Sequence, residues 1–292
     1  NSINKILNSS IKSTIQDAKM FECDPYENFD SLLNDTRLDA IYISTPPKFH
    51  ELYCILAARK GLNILCEKPL STSLNSVKYI INECRKNKTV IMEGFMYQHH
   101  PQHKEIKKII SERNLGKAYL FEAKFGFPPM KNSNNFRYRR SLGGGALLDA
   151  GVYTIHSARK FFEVEPIGVY STSKRKSENI DSHGSAILDF GNNQSAHLAF
   201  GFNNYYRNTY CIWLENGYLE VKRAFSIPSD FNAEIVLYSD NREEKIIVKN
   251  ADQFALQLKA FKNINDSSIK ISDLYTDAIS QATVVDEIYN YE

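Results

Sequence analysis

The sequence predicts an α/β chain: a parallel sheet of βαβ units, followed by an α+β part with a large, mainly antiparallel open sheet. Three observations carry this. Between residues 39 and 92 short apolar runs alternate with helical periodicity, and strands separated by helices of about 10–15 residues imply βαβ units. From 165 to 249 the chain is mostly strand-like, with hairpin-type turns at Gly191-Asn192-Asn193 and Glu215-Asn216-Gly217. Two helical stretches close the chain. The change of pattern places the boundary near residue 97, giving parts 1–97 and 98–292, with the last helix free to pack back on the first.

Residues 2–19 read as a helix, because Ile3, Ile6, Leu7, Ile11 and Ile15 recur on one apolar face. A short helix is expected over 27–34. Asp39-Ala40-Ile41-Tyr42-Ile43-Ser44 is a β-rich run that ends in Thr45-Pro46-Pro47. A helix follows from about 49 to 60, stopped by Gly61. Asn63-Ile64-Leu65-Cys66 predicts a strand, 74–86 a helix, and Thr89-Val90-Ile91-Met92 another strand. Continuous apolar strands of this kind suit burial on both faces. Past residue 97 a helix is expected over 101–113, with Pro101 in its first turn. A strand over 117–126 comes next, then a helix from Gly143-Gly144-Gly145 to Phe162. Further strands fall at 165–174, 184–190, 194–201, 207–214, 218–222, 233–239 and 244–249, and the closing helices at 252–263 and 272–290.

Composition excludes several classes. Of 292 residues, 42% are hydrophobic and 24% charged, ordinary for a globular protein. The 36 basic and 34 acidic residues nearly cancel, whereas a nucleic-acid binder carries a basic excess. No apolar run approaches the ~20 residues that span a bilayer, and no signal-peptide pattern is read at the start. The five cysteines, Cys23, Cys54, Cys66, Cys84 and Cys211, are scattered and odd in number. They form neither a disulfide framework nor a zinc set. A cytoplasmic location with reduced thiols is expected.

Two stretches carry chemistry. Cys66-Glu67-Lys68-Pro69-Leu70 follows a parallel strand, at the end where open α/β sheets place ligands. Taken alone, the tripeptide reads as a solvated turn. In Gly143-Gly144-Gly145-Ala146-Leu147-Leu148-Asp149-Ala150-Gly151-Val152-Tyr153-Thr154-Ile155-His156, the residues Asp149, Tyr153 and His156 stand at i, i+4 and i+7. That spacing predicts one helix face bearing a carboxylate, a phenol and an imidazole, a proton-handling set preceded by glycines that admit a ligand. A third stretch, Glu93-Gly94-Phe95-Met96-Tyr97-Gln98-His99-His100-Pro101-Gln102, closes the first part. His99 and His103 are i, i+4, yet no carboxylate or cysteine completes a site. A structural or substrate-lining role is expected there, and no metal. Arg137, Arg139 and Arg140 precede the glycines. They read as a solvated basic loop or as a phosphate clamp. Lys174-Arg175-Lys176 reads as a solvated surface run.

The order Thr45-Pro46-Pro47 with His50, then Glu67-Lys68-Pro69, then Glu93-Gly94-Phe95-Met96-Tyr97, then Gly144 to Tyr153 resembles the Gfo/Idh/MocA oxidoreductases. The nearest look is to the branch of glucose-fructose oxidoreductase, dimeric dihydrodiol dehydrogenase and xylose dehydrogenase. The resemblance runs from about residue 20 to the end. It implies an incomplete Rossmann-type sheet, with 1–97 the remainder of a dinucleotide-binding domain and 98–292 a substrate and oligomerisation domain. It implies NADP or NAD as cofactor, a sugar-like substrate and a homo-oligomer formed through the open sheet, with no nucleic-acid or membrane partner. Carried over, Lys68 stands beside the nicotinamide and substrate carbonyl, Tyr153 is the acid/base and Asp149 lies near the substrate. Thr45, Pro46, His50, Glu67 and Pro69 flank the cofactor. Tyr97, Arg137 and His156 are assigned to the substrate side, His156 in a supporting role. The Lys68 ammonium is expected to favour the Tyr153 phenolate.

The sequence departs from that family at its start. No glycine precedes Gly61, so no Gly-x-Gly-x-x-Gly turn is present. The first strand, first helix and second strand of the fold are expected to be missing, together with the residue that selects NAD or NADP. A fragment of a longer product is the favoured explanation, with little cofactor binding by these residues alone. The leading function is hydride transfer to or from a sugar-like carbonyl or hydroxyl. The alternative is a truncated, non-catalytic sugar-binding or assembly module.

Overall fold

The computed structural model describes residues 5–7, 10–132, 134–172, 180–264 and 270–291. The Lys174-Arg175-Lys176 run lies outside them. At the start, β1 (Lys5–Ile6) pairs in parallel with β2 (Asp24–Pro25) around α1 (Ile11–Met20). The expected helix over 2–19 is thus corrected: a strand precedes it, and the helix begins after Ser10, whose side chain accepts from the Ser13 N–H. Ile6 and Leu7 fall at helical spacing from Ile11 by coincidence. The serine cap, not the apolar period, marks the true start.

After α2 (Phe29–Leu33) come β3 (Ala40–Ile43), α3 (His50–Arg59), β4 (Asn63–Glu67), α4 (Leu74–Asn87) and β5 (Ile91–Gly94). The strands form a parallel sheet in the order β3-β4-β5. In central β4, Ile64, Leu65 and Cys66 are all buried, which is why this strand reads as a continuous apolar run. Register pairs Ile43 with Cys66 and Glu67 with Gly94. The carboxyl ends of the three strands therefore lie side by side, and their loops, at Thr45, Lys68 and Phe95, share one edge.

The second part opens with α5 (Gln102–Glu112) and β6 (Ala118–Phe127). It continues through β7 (Gly168–Ser171), β8 (His183–Gly191), β9 (Gln194–Phe202), β10 (Arg207–Leu214), β11 (Gly217–Val221), β12 (Ala233–Ser239) and β13 (Arg242–Val248). The eight strands are ordered β13-β12-β11-β10-β6-β9-β8-β7. All pairs are antiparallel except β6 with β9. The inner face carries Phe121, Ala123, Phe125, Leu198 and Phe200 against a helix. The outer face leaves Tyr119, Trp213 and Tyr238 exposed.

That helix is α6 (Val152–Phe162). The long helix expected from the glycines onward does not begin as an α-helix: Leu147–Gly151 is a π-helical turn. A Cβ on Gly151 would lie 2.7 Å from the Leu147 side chain and 3.0 Å from the Phe200 ring, so glycine lets the wide turn press on β9. Asp181 caps this turn, its Oδ2 accepting from Leu147 N at 2.6 Å.

The chain ends with α7 (Gln253–Lys262) and α8 (Ile271–Asn290). Helix α8 joins the two cores. Tyr275 and Ala278 pack with the parallel sheet, and Val284, Val285 and Ile288 with the large one. Buried Arg159 of α6 ties α8 down. Its guanidinium donates to both oxygens of Glu165 (2.6 and 2.7 Å), to Asp277 Oδ1 (3.0 Å) and to Gln281 Oε1 (2.8 Å). Removing one member of such a network leaves buried polar groups uncompensated. Arg159→Met is expected to lower the free energy of unfolding by about 3 kcal/mol, measured by urea denaturation. A loss within error of zero would mean that α8 is held by apolar packing alone.

Candidate active site

Lys68 sits on the loop after β4, and that loop is clamped on three sides. Leu70 N donates to Glu93 Oε1 (2.8 Å), and Tyr42 Oη donates to Glu67 Oε1 (2.6 Å). The wholly buried His50 ring lies between two carbonyl oxygens, Nδ1 at 2.9 Å from Pro69 O and Nε2 at 2.7 Å from Thr45 O. A neutral imidazole donates to one of them and an imidazolium to both. Burial pushes the His50 pKa down and the carbonyls draw it up, and burial wins. His50 thus fastens the loop after β3 to the loop after β4.

The Lys68 ammonium donates to Asp149 Oδ1 and to the Asp149 carbonyl, each at 2.7 Å. It stands 4.8 Å from the centre of the Tyr153 ring. Arg137 Nε donates to the other carboxylate oxygen of Asp149 at 2.6 Å. Burial alone would raise the Asp149 pKa, but Lys68 and then Arg137 more than reverse it, so the group is held below its ordinary value. Asp149 is a carboxylate divided between two cations. The phosphate-clamp reading of the basic loop changes accordingly: Arg137 is engaged with Asp149, and Arg139 points to Asn134.

Tyr153 is caged by Phe95, Tyr97, Phe125 and Phe225, with ring centres 5.3–5.9 Å away. Its hydroxyl donates to Met96 Sδ at 3.3 Å. Here the structure corrects an expectation. Lys68 lies over the ring face rather than at the hydroxyl, and the Tyr153 pKa is raised well above its ordinary value. Burial is the main cause, with the Glu67 and Asp149 charges adding to it. The group is a phenol, a proton donor.

Although Leu147–Gly151 is a π turn, Asp149, Tyr153 and His156 share neighbours: Lys68 touches Asp149 and the Tyr153 ring, and Phe95 and Tyr97 pack on both Tyr153 and His156. His156 and Tyr97 are buried behind Tyr153. His156 stacks on Phe95 at 4.0 Å, and its Nδ1 is 2.7 Å from Tyr97 Oη. Its Nε2 is 3.5 Å from Asp277 Oδ2. Burial pushes the His156 pKa down to about 4, so the ring is neutral near pH 7. These residues form a rear wall that fixes the Tyr153 cage. A cleft of about 520 Å³, lined by Tyr97, His103, Lys160 and Tyr210 among others, opens in that region. His103 Nδ1 lies 2.8 Å from Tyr210 Oη. Among the described residues no group of three or more His, Cys, Asp or Glu is placed to hold a metal ion.

Sequence reasoning gave no role to Glu93, Asp277, Met96 or Phe225. Glu93 was visible at the end of its strand. Asp277 lies in a distant helix and carried no local signal. For a dinucleotide, the nicotinamide side of the edge fits: Thr45 Oγ1 is buried without a hydrogen-bond partner at the carboxyl end of β3. A Cβ at Gly94 would stand 3.0 Å from Cys66 O and from Glu67 Cα, so the neighbouring strand end packs close there. The chain itself holds no Gly-x-Gly-x-x-Gly turn.

Comparison with known proteins identifies the family. Residues 2–95 match the oxidoreductase family with an NAD-binding Rossmann fold, a match that starts earlier than the resemblance quoted above. Residues 103–220 match the GFO/IDH/MocA C-terminal domain. The chain is 30% identical over 280 residues to a dTDP-3,4-didehydro-2,6-dideoxy-alpha-D-glucose 3-reductase of Saccharopolyspora spinosa, covering 93% of this chain and 83% of that one. It is 26% identical to a D-xylose 1-dehydrogenase (NADP(+)) of Haloferax volcanii, covering 90% and 81%. A solved 3-ketoreductase from Actinomadura kijaniata, in complex with NADP and TDP-benzene, superposes with a TM-score of 0.90 at 28% identity, covering 98% of this chain and 88% of that one.

Glu93 offers a test of this site's electrostatics. Desolvation pushes its carboxyl up to about 8 from 4.5. A carboxyl whose folded pKa is raised contributes stability that is complete below the unfolded value and is lost as pH rises through the folded one. Between pH 5 and 8 the wild type is therefore expected to lose stability relative to Glu93→Gln, which keeps an acceptor for Leu70 N–H. Melting temperatures across that range decide it, and a difference independent of pH would refute the assignment.

Proposed function

The chain belongs to the GFO/IDH/MocA oxidoreductase family, and from that premise we propose that it transfers a hydride between NADP or NAD and a carbonyl or hydroxyl carbon of a sugar-like substrate. The observation that carries this is the Lys68 ammonium, set between the Asp149 carboxylate and the face of Tyr153 at the carboxyl end of the parallel sheet. When bound, the cofactor supplies or accepts the hydride. Thr45, Pro46, His50, Glu67, Lys68 and Pro69 form the edge that would hold its nicotinamide end.

The chain's own residues deal with charge and protons. Reduction of a carbonyl puts negative charge on oxygen. Lys68 has three donor hydrogens, two of them spent on Asp149, and the third is left to meet that oxygen. Tyr153, kept a phenol by burial, gives up its proton as the alkoxide forms. In the opposite direction the phenolate takes the proton back. Asp149 holds Lys68 in place, and Arg137 closes the other side of Asp149. The Phe95, Phe125 and Phe225 cage keeps water from the phenol.

Residues 1–97 serve the cofactor and 98–292 the substrate in this reading. Relatives bear enzyme names and the lysine–aspartate–tyrosine set is intact, so the non-catalytic alternative is not favoured, although the Gly-x-Gly-x-x-Gly turn is missing from these residues. Among the described residues no helix is long and apolar enough to cross a membrane, and all five thiols are free, which suits the cytoplasm. The outer sheet face fits a second copy. Tyr119, Trp213, Tyr218 and Tyr238 form an aromatic row across four strands, with ring centres 5.3, 6.4 and 5.9 Å apart in turn. Trp213→Glu is expected to shift an oligomer to monomer in sedimentation. An unchanged sedimentation coefficient would remove this face as the interface.

Tyr153→Phe and Lys68→Met are each expected to lower kcat by about 10²–10⁴, with the melting temperature of Tyr153→Phe close to wild type. The assay follows nicotinamide absorbance with keto-sugar substrates. Full turnover by either variant would show that the reaction centre is elsewhere.

A further inference from the structure

Phe225 closes one side of the Tyr153 cage, yet it stands on irregular backbone. Residues 222–232 connect β11 to β12 and contain neither helix nor strand. Ala224 and Phe225 are wholly buried there. Buried backbone polar groups need partners, and no sheet ladder supplies them in this connection. Three buried side-chain amides do so instead, from three separate elements. Gln102, the first residue of α5, donates from Nε2 to Arg223 O (3.0 Å) and Ala224 O (3.3 Å). Gln253, the first residue of α7, donates to Phe225 O (3.5 Å). Asn208 of β10 donates from Nδ2 to Ser226 O (2.9 Å), and its Oδ1 accepts from Phe225 N (2.8 Å). The Asn208 carbonyl accepts from Ala224 N (2.9 Å). From Arg223 O to Phe225 O every backbone N–H and carbonyl thus has a partner.

A carbonyl oxygen only accepts, so the NH2 of each amide must face it. Gln102 Oε1 and Gln253 Oε1 are then left buried without a hydrogen-bond partner. An unpaired buried acceptor costs stability, and that cost stands against what the two NH2 groups hold in place. They hold the backbone of Phe225. Its ring centre is 5.8 Å from that of Tyr153, 5.1 Å from Phe125 and 5.4 Å from Tyr97.

We propose that Gln102, Asn208 and Gln253 are positioning residues for the reaction: by fixing residues 223–226 they set Phe225 against Tyr153 and keep water from the phenol. The inference rests on the reading that Tyr153 gives up the proton. Amides suit this task, because they pair with backbone groups and bring no charge toward the phenol. The charges that reach Tyr153 are those of Lys68, Glu67, Asp149 and Arg137, with Tyr42 and Tyr97 as further titratable neighbours. None of them belongs to the clamp. Loosening the clamp therefore changes hydration and leaves the charges in place. Water at the phenol lowers the cost of ionising it, so the Tyr153 pKa falls.

The test is an NMR titration of the tyrosine rings in the full chain, with the Tyr153 signal assigned by its loss in Tyr153→Phe. Gln102→Met keeps the length of the side chain and removes both donors together with the orphaned oxygen. It is expected to move the Tyr153 titration down by about one pH unit. In turnover it is expected to lower kcat roughly ten-fold with KM changed by less than about two-fold, and to bring the alkaline fall of kcat to lower pH by the same shift. Phe225→Leu is expected to shift the titration likewise, and adding Gln102→Met to it to change nothing further, as for two residues that act through one contact. Gln253→Met loses a single 3.5 Å bond. It is expected to give a smaller shift in the same direction, and decides the matter should Gln102→Met melt early. A wild-type Tyr153 titration in both glutamine variants, or a Gln102→Met effect that persists in full beside Phe225→Leu, would overturn the assignment. Because the titration needs no substrate, failures separate. A shifted Tyr153 signal in a chain that reduces no sugar sinks the proposed reaction and spares the clamp. An active enzyme whose kcat and pH profile are unchanged in both glutamine variants sinks the clamp alone.

Discussion

Lys68 and Asp149 lie 81 residues apart in the chain, and the 2.7 Å contact between them joins its two parts at the point where chemistry is expected. Both side chains are nearly buried, at 10% and 12% exposure. Each charge is tolerable there because opposite charge is at hand, Asp149 for Lys68, and Lys68 with Arg137 for Asp149. The contact therefore sets where the loop after β4 may stand relative to α6. The surrounding construction serves its two ends. His50 and Glu93 hold the lysine loop, and Asp181 holds the first turn of the aspartate segment. Glycine is needed on the aspartate side for a steric reason: a Cβ on Gly144 would lie 2.5 Å from Arg137 O. That close approach is what brings Arg137 onto the second oxygen of Asp149.

Electrostatics and packing divide the work at this centre. The two cations keep Asp149 ionised against the cost of burial. The aromatic cage does the opposite for Tyr153, withdrawing water so that the charged phenolate is disfavoured. A paired ion and a neutral acid thus stand side by side because their surroundings differ, and a proton donor next to a fixed positive charge is what an oxygen gaining negative charge requires. Behind them, His156 stays neutral by burial and bridges Tyr97 toward Asp277, so α8 supports the Tyr153 cage.

Much of this was legible in the residues. Ile64-Leu65-Cys66 read as a doubly buried strand, and its neighbours β3 and β5 as partners in a parallel sheet. The position of Lys68 at a carboxyl end followed from that alone. The strands of the large sheet fell close to their expected places, with the β8–β9 and β10–β11 turns at Gly191-Asn192-Asn193 and Glu215-Asn216-Gly217. Local periodicity misled where two elements met by chance in one register, as at Ile6 and Leu7 before α1. It misled again at Leu147–Gly151, where five residues make a π turn in place of the first turn of the expected α-helix.

The sequence by itself determined the class of fold, the alternation of its elements and the residue types able to hold charge and move a proton, because these depend on local periodicity and on side-chain chemistry. Only the tertiary structure decided which of them meet. Whether Arg137 faces solvent or Asp149, whether Lys68 approaches the hydroxyl or the ring of Tyr153, and whether His156 lines the site or backs it are settled by packing between distant segments. The protonation states followed with them, since the energy of a charge is set by the partners and the burial that the completed fold provides.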